Sequence, residues 1–483
     1  MIKSFKPEVW LVAAIVVLTL YRLIVAWQLR LGLYVDEAQY WSWAQHLDWG
    51  YYSKPPMVAW AIWLSTALFG DSELGVRAWA LLLHPLTALL LFLATRRLVD
   101  SYIALVAALL YLTMPAVSLY SLVATTDTLL LFFWSGALWA FVASLQERKV
   151  VWWVVVGIFG GLGLLSKPTM ILFALVALLF LGFSATYRGL LLTRGPWIAV
   201  GVALLGYLPN LWWNINHDFV TYRHVGEISQ LDQELFHLGK AAEFLAAQFV
   251  VFGPLSFALL LYLTFKQELW HEELPWRLLL VATWSFLGVI FAQALLSRAF
   301  ANWALPSYVA ASILLAGWLM RTGLRRLLVA TMALNLVMMV VVYHHQTILE
   351  LAGIKMSAKI DPAKRNKGWD QLAHQVMREL TKRPGWVVAS DDRTVIAQLS
   401  YYARPIEPYA WNPGHLVRNH YELTTDLNRH IGGNLLLITK SATSADLATY
   451  AERVEELDDL VVMIYPDYGL HYKIFVLYGF KGY

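Results

Sequence analysis

Eleven apolar runs, most of them close to 20 residues, dominate this chain: roughly 9–29, 78–95, 102–123, 128–145, 150–165, 168–185, 196–213, 244–264, 278–297, 303–320 and 327–343. A helix of about 20 apolar residues crosses a hydrocarbon core of roughly 30 Å. In lipid only helices and closed barrels satisfy their own backbone polar groups. An ordinary soluble enzyme is therefore excluded. Composition agrees, with 59% hydrophobic and 14% charged residues, against about 25% charged in a soluble domain. The charge is uneven, too. Residues 1–343 carry 38 Asp, Glu, Lys and Arg, whereas the last 140 residues carry 32. The sequence thus predicts an all-α polytopic membrane protein over 1–343, with about 11 transmembrane helices, and a separate domain over 344–483.

Cationic loops stay on the cytoplasmic side, so Lys and Arg set the orientation. One alternating set of loops holds thirteen cations: Lys3, Lys6, Arg96, Arg97, Arg148, Lys149, Arg188, Arg194, Lys266, Arg277, Arg321, Arg325 and Arg326. The opposite set, longer in total, holds seven: Arg30, Lys54, Arg77, Lys167, Arg223, Lys240 and Arg298. This predicts a cytoplasmic N-terminus, with loops 30–77 and 214–243 outside. The odd helix count puts the C-terminal domain outside as well. The first run, with no cleavage site behind it, reads as an uncleaved anchor. Residues 344–483 mix short β-rich runs (386–389, 435–438, 473–477) with helical stretches at 369–380 and 443–458, which predicts a small extracytoplasmic α/β domain. A net charge of +4 gives no footprint for nucleic acid. The absence of cysteine removes disulfides and thiolate metal sites.

The first outer loop concentrates the chemistry. It begins Tyr34-Val35-Asp36-Glu37-Ala38-Gln39-Tyr40-Trp41 and continues Asp48-Trp49-Gly50-Tyr51-Tyr52-Ser53-Lys54-Pro55-Pro56. Two adjacent carboxylates just past a spanning helix can take a proton from a hydroxyl nucleophile, and a lysine can neutralise a departing phosphate. The same residue types also suit a solvated loop with an interfacial aromatic belt.

These motifs resemble the first outer loop of the GT-C membrane glycosyltransferases, the fold of protein O-mannosyltransferases and lipid A aminoarabinose transferases. The resemblance runs over about residues 1–345, through segments 70–77, 124–134, 161–169 and 302–308, and fades in the C-terminal domain. It implies inverting transfer of one sugar from a polyprenyl-phosphate donor to an acceptor hydroxyl at the outer face of a bacterial inner membrane. The acceptor would be lipid A, another glycolipid or a protein. By position, Asp36 becomes the general base and Glu37 its partner, with Asp127 as a further catalytic residue. Lys54, Lys167 and Arg298 hold the donor phosphate, and Tyr40, Tyr52 and Asn302 line the substrate. One departure stands out: Gln39 occupies a position where aminoarabinose transferases usually carry Arg.

The family uses a divalent ion in some members and none in others, so metal dependence stays open. His217, Asp218, His224, Glu227 and His237 offer ligand types but read as a polar loop. Two other readings share the donor class, a flippase for a lipid-linked sugar and a sugar-polymer ligase. A transporter should place polar groups at mid-membrane on broken helices in both halves.

Overall fold

The computed structural model describes residues 6–230 and 235–483. Lys3 of the charge count and residues 231–234 of the second outer loop lie outside the described residues. The chain forms two compact units. One comprises Met1–Gln28, Lys54–Ala61 and Arg77–His345; the other comprises Leu29–Ser53, Ile62–Val76 and Gln346–Tyr483.

The first unit is helical, and the chain is a multi-pass membrane protein. Each of the eleven apolar runs contains helix. Six helices are long and apolar enough to cross a bilayer: Pro7–Leu29, Glu73–Leu98, Thr126–Glu147, Arg194–Asn216, Leu274–Leu296 and Arg325–Leu351. The run at 244–264 is two helices, Leu238–Val251 and Pro254–Thr264, bent by 117°; taken as one broken span, it makes a seventh. Gly253 at the bend has φ +104°, a conformation that suits glycine, and a Cβ there would collide with the Asn335 side chain. The run at 102–123 breaks at Pro115, which starts the helix Pro115–Tyr120 because it cannot continue Ser101–Thr113.

The centre of this unit is the helix Thr126–Glu147, buried on nearly every side. Its Trp134 meets Phe173 and Phe286 edge-on, each at 5.1 Å. Lipid offers no hydrophobic incentive for helices to associate, so close packing has to hold them. The helix Val150–Leu164 achieves this with Gly157 and Gly161, whose missing side chains let the Ala199 and Ala203 backbone of Arg194–Asn216 come near. Two deep polar groups are bonded to backbone carbonyls. Arg22 Nη2 donates to Leu112 O at 2.5 Å and Tyr343 OH to Ser118 O at 2.6 Å.

The second unit carries a six-stranded mixed sheet of β1 (Val387–Ser390), β2 (Tyr409–Ala410), β3 (Leu435–Thr439), β4 (Ala451–Glu456), β5 (Leu460–Tyr465) and β6 (Tyr468–Phe480). The order is β2-β1-β3-β6-β4, with β5 also on β6. β1 pairs in parallel with β2 and β3, while β6 pairs antiparallel with β3, β4 and β5. Both faces are covered, as expected for a domain with a parallel centre. Val388, Leu436, Ile438 and Ile474 pack with the helices Trp369–Thr381 and Arg393–Tyr402 on one side. Ala389, Leu435, Leu437 and Phe475 pack with Trp411 and Phe480 on the other. The stretch 443–458, expected to be helical, is instead one capped turn, Ser444–Leu447, a short 3-10 turn and strand β4. Pairing with β6, which sets Val454 opposite Leu477, decides for the strand.

Two stretches of loop 30–77 count with the sheet. Residues 35–45 form a helix, Val35–Gln45, that seats on Arg393–Tyr402. The chain leading into it is tied at three points. Leu33 N donates to Tyr402 OH at 2.8 Å, Gln398 Nε2 to Leu33 O at 3.0 Å and Asn366 Nδ2 to Gly32 O at 2.9 Å.

Candidate active site

The paired carboxylates open the helix Val35–Gln45 and are treated differently by it. Glu37 is the third helical residue and folds back, its Oε2 accepting from Tyr34 N at 2.9 Å, so it closes the helix start and is buried. Asp36 points elsewhere, with its side chain 44% exposed. Arg393 Nη1 donates to Asp36 Oδ1 at 3.1 Å and to Gln39 Oε1 at 2.7 Å. Thus the glutamine that replaces an expected arginine is itself bonded to an arginine from the far end of the chain. Sequence reasoning missed Arg393. Its one sequence signal is its place three residues beyond the end of strand β1, where α/β domains gather functional loops.

Tyr40 and Tyr52, expected to line substrate, are both buried. Tyr40 meets Trp43 at 5.1 Å, and Tyr51 stacks on Trp43 at 4.6 Å with its hydroxyl donating to Trp43 O at 3.1 Å. His420 lies edge-on to both Trp43 and Tyr51. Much of the aromatic wealth of this loop is packing.

The membrane unit brings three predicted residues together. Asp127 lies in the first turn of Thr126–Glu147, where the helix dipole favours a negative charge. Its Oδ1 accepts from Lys167 Nζ at 2.6 Å and its Oδ2 from Asn302 Nδ2 at 2.8 Å. Both members of the ion pair are nearly covered, at 7% and 13% exposure. Pro168 opens a 3-10 turn right after Lys167, and Asn302 sits on another, Ala301–Ala304. Lys54 is half-buried on the segment before the helix Met57–Phe69, and Met57 N donates to Leu165 O at 3.1 Å. That bond joins the Lys54 segment to the Lys167 segment.

Arg298 rests its guanidinium 5.3 Å from the Phe300 ring centre, and its Nε is buried with no hydrogen-bond partner among the described residues. The hydroxyls of Thr125 and Thr169, flanking Asp127 and Lys167 in sequence, are in the same state. Burying a donor without a partner is costly. Just beyond Lys167, Met170, Phe173 and Leu181 line an apolar cavity of about 230 Å³ with Trp153 and Ala203. Among the described residues no cluster of three or more His, Asp or Glu side chains comes together in a way that could hold a metal. His224 and Glu227 do stand three apart on one helix, 3.8 Å from each other.

The dolichyl-phosphate-mannose-protein mannosyltransferase family model matches residues 53–213. The lipid A galacturonosyltransferase RgtD of Rhizobium johnstonii is 34% identical over 88% of this chain and 89% of its own length. The chain belongs to the GT-C membrane glycosyltransferases. Within that family, an arabinosyl transferase of Pseudomonas aeruginosa that uses undecaprenyl phosphate-α-4-amino-4-deoxy-L-arabinose is 28% identical to this glycosyltransferase, over 58% of the chain and 53% of the relative. The solved structure of ArnT from Cupriavidus metallidurans bound to undecaprenyl phosphate shares the fold, with a TM-score of 0.66 over 97% of both chains at 17% identity. An archaeal oligosaccharyltransferase from Archaeoglobus fulgidus shares it more loosely, at 0.52 over 87% of this chain and 67% of its own. An enzyme, rather than a flippase, is the outcome.

Proposed function

We propose that this glycosyltransferase moves one uronic acid residue, of the galacturonosyl type, from a polyprenyl-phosphate donor to a hydroxyl of lipid A. The near full-length match to a lipid A galacturonosyltransferase supports the sugar and the acceptor. The observation that carries the donor class is the covered Lys167 cation, with the Thr125 and Thr169 hydroxyls near it in sequence unpartnered among the described residues; a cation and hydroxyl donors suit a phosphate. The apolar cavity beyond Lys167 suits a prenyl chain.

In this reading the acceptor hydroxyl gives its proton to the Asp36 carboxylate as its oxygen attacks the anomeric carbon. The bond from that carbon to the phosphate oxygen breaks with inversion, and polyprenyl phosphate leaves. Lys54 and Lys167 offset the charge that gathers on the leaving phosphate, the kind of fixed electrostatic support that counts for most in a water-poor site. Arg298 offers Nε to the same group. Glu37 acts through the helix start it closes rather than on substrate.

Eleven crossings follow if the bent pair and the shorter apolar helices Ser101–Thr113, Val150–Leu164, Pro168–Phe183 and Ser307–Arg321 each cross once beside the six long ones. The N-terminus is then cytoplasmic and the sheet-bearing unit periplasmic, supported by the thirteen-to-seven loop asymmetry. Purified protein given polyprenyl-phosphate galacturonic acid and lipid A should yield lipid A heavier by one hexuronic acid residue in mass spectrometry. Turnover of a nucleotide sugar with no lipid carrier would overturn the donor assignment. A C-terminal reporter active only in the cytoplasm would overturn the orientation.

A further inference from the structure

The sheet of the second unit has a switch point. β1 lies between β2 and β3 and is parallel to both, so the chain leaves β1 toward one side and returns on the other. In open α/β sheets the crevice outside the carboxyl ends of such strands is where ligands bind. Here the crevice is a cleft of about 430 Å³. Its walls come from the residues after β1 (Asp391, Asp392, Arg393), those after β3 (Lys440, Ser441), and Arg418 and Glu422 at the start of the short helix His420–Thr424.

Three cations and three carboxylates line this cleft, mostly in bonded pairs. Lys440 Nζ donates to Asp392 Oδ2 at 2.8 Å, Arg418 Nη2 to Glu422 Oε1 at 2.6 Å, and Thr439 Oγ1 to Asp391 Oδ2 at 2.6 Å. Alternating donors and acceptors of this kind match the hydroxyls of a sugar, and exposed guanidinium and ammonium groups match its anionic substituents. Burial pushes the Asp391 carboxyl above its ordinary value, and the neighbouring Asp392 charge pushes the same way. Asp392 is also desolvated, but Lys440 and the Thr394 N–H outweigh that and hold it below its ordinary value.

Arg393 belongs to the cleft wall and bonds Asp36. We propose that this cleft binds the phosphorylated saccharide headgroup of the acceptor, with Arg393 linking the bound sugar to Asp36. Arg393 is a positioning residue in this scheme. The proposal rests on the lipid A transferase reading and adds a site to it. A donor sugar phosphate has the same chemistry, so the test separates the two sources.

Ser441→Trp would fill the cleft from an exposed position, and Arg418→Gln would remove an exposed cation. Each full-length variant, in nanodiscs, should raise KM for lipid A about tenfold or more. KM for the polyprenyl-phosphate donor should stay within about twofold, less than one lost hydrogen bond would cost. Deacylated lipid A, a soluble phosphorylated disaccharide, should bind the wild-type protein in calorimetry and bind both variants more weakly. Unchanged lipid A KM in both variants overturns the proposal, as does a rise confined to the donor KM. If Ser441→Trp fails to fold, as judged by its melting curve, Arg418→Gln decides. A wild-type protein that binds the disaccharide but transfers no sugar would overturn the transferase reading and leave the cleft standing. One that transfers sugar normally but binds no disaccharide would do the reverse.

Discussion

Asp127 in the membrane unit and Asp36 in the sheet-bearing unit both lie in the first turn of a helix and both meet a cation, yet their surroundings are opposites. Asp127 is covered, and each of its oxygens accepts a short bond, from Lys167 and from Asn302. Asp36 is 44% exposed and holds a longer contact to Arg393, whose Nη1 it shares with Gln39. A covered pair keeps its geometry because breaking it strands a charge away from water. An open pair is worth little and can exchange partners. The difference teaches which carboxylate can serve a reaction by moving a proton and which can serve it only by holding another group still.

Breaking the covered pair should have the largest effect. Lys167→Met leaves Asp127 buried without its cation, which should cost about 3–5 kcal/mol of stability and lower the melting temperature in detergent along with activity. Lys167→Met combined with Asp127→Asn removes both charges and should recover most of the melting temperature but none of the transfer. Recovery of both would reduce the pair to a structural tie.

Asp36→Asn should do the reverse. The amide keeps the shape but cannot accept a proton, so transfer should fall by at least about 10²-fold. The melting temperature should hardly move, because an exposed ion pair contributes under about 1 kcal/mol. Near-normal transfer by this variant would remove Asp36 from the mechanism.

What the sequence made legible follows the same division. The apolar runs stand out because a spanning helix must be apolar along its whole length, and Asp127, Lys167 and Asn302 sit at the ends of such runs, where motifs are easily seen. Arg393 was invisible because its partner lies 357 positions away in the chain and no local pattern encodes that pairing. In the sequence, helix Val35–Gln45 reads as loop for a related reason. Its aromatic residues suit an interfacial belt as well as a core, and only the seat supplied by Arg393–Tyr402 decides between them. The bend at Gly253-Pro254 had a local signal in the two residues themselves, hidden inside an unbroken apolar run.

The sheet-bearing unit holds a pair of its own with a covered carboxylate, Asp361 with Lys367, which allows the comparison to be repeated in that unit. Lys367 Nζ lies 2.8 Å from Asp361 Oδ2, and Tyr465 OH donates to the same oxygen at 2.7 Å. Burial works against the Asp361 charge, but Lys367, Tyr465 and the Ala363 N–H outweigh it and hold the carboxyl below its ordinary 3.8. A depressed carboxyl contributes stability that is fully present above 3.8 and is lost as pH falls through the folded-state value. The melting temperature should therefore drop on acidification below 3.8, and Lys367→Met should flatten that drop. An acid limb of equal slope in both proteins would show that other carboxylates set it.

The smallest expected effect concerns Glu37, the immediate neighbour of Asp36, and it sharpens the contrast most finely. Glu37→Gln keeps an oxygen able to accept from Tyr34 N, so the helix start survives while the charge at the helix N-terminus is lost. That loss is worth about 0.3–1 kcal/mol, a small shift in melting temperature. Transfer should remain near the wild-type rate, because a buried group bonded to its own helix does not reach the acceptor hydroxyl. Asp36→Asn and Glu37→Gln thus remove the same charge from adjacent positions and should differ by about two orders of magnitude in rate. If Glu37→Gln abolishes transfer while Asp36→Asn retains it, the proton acceptor is Glu37 and the helix must open to expose it. If both retain it, the base lies outside this pair altogether.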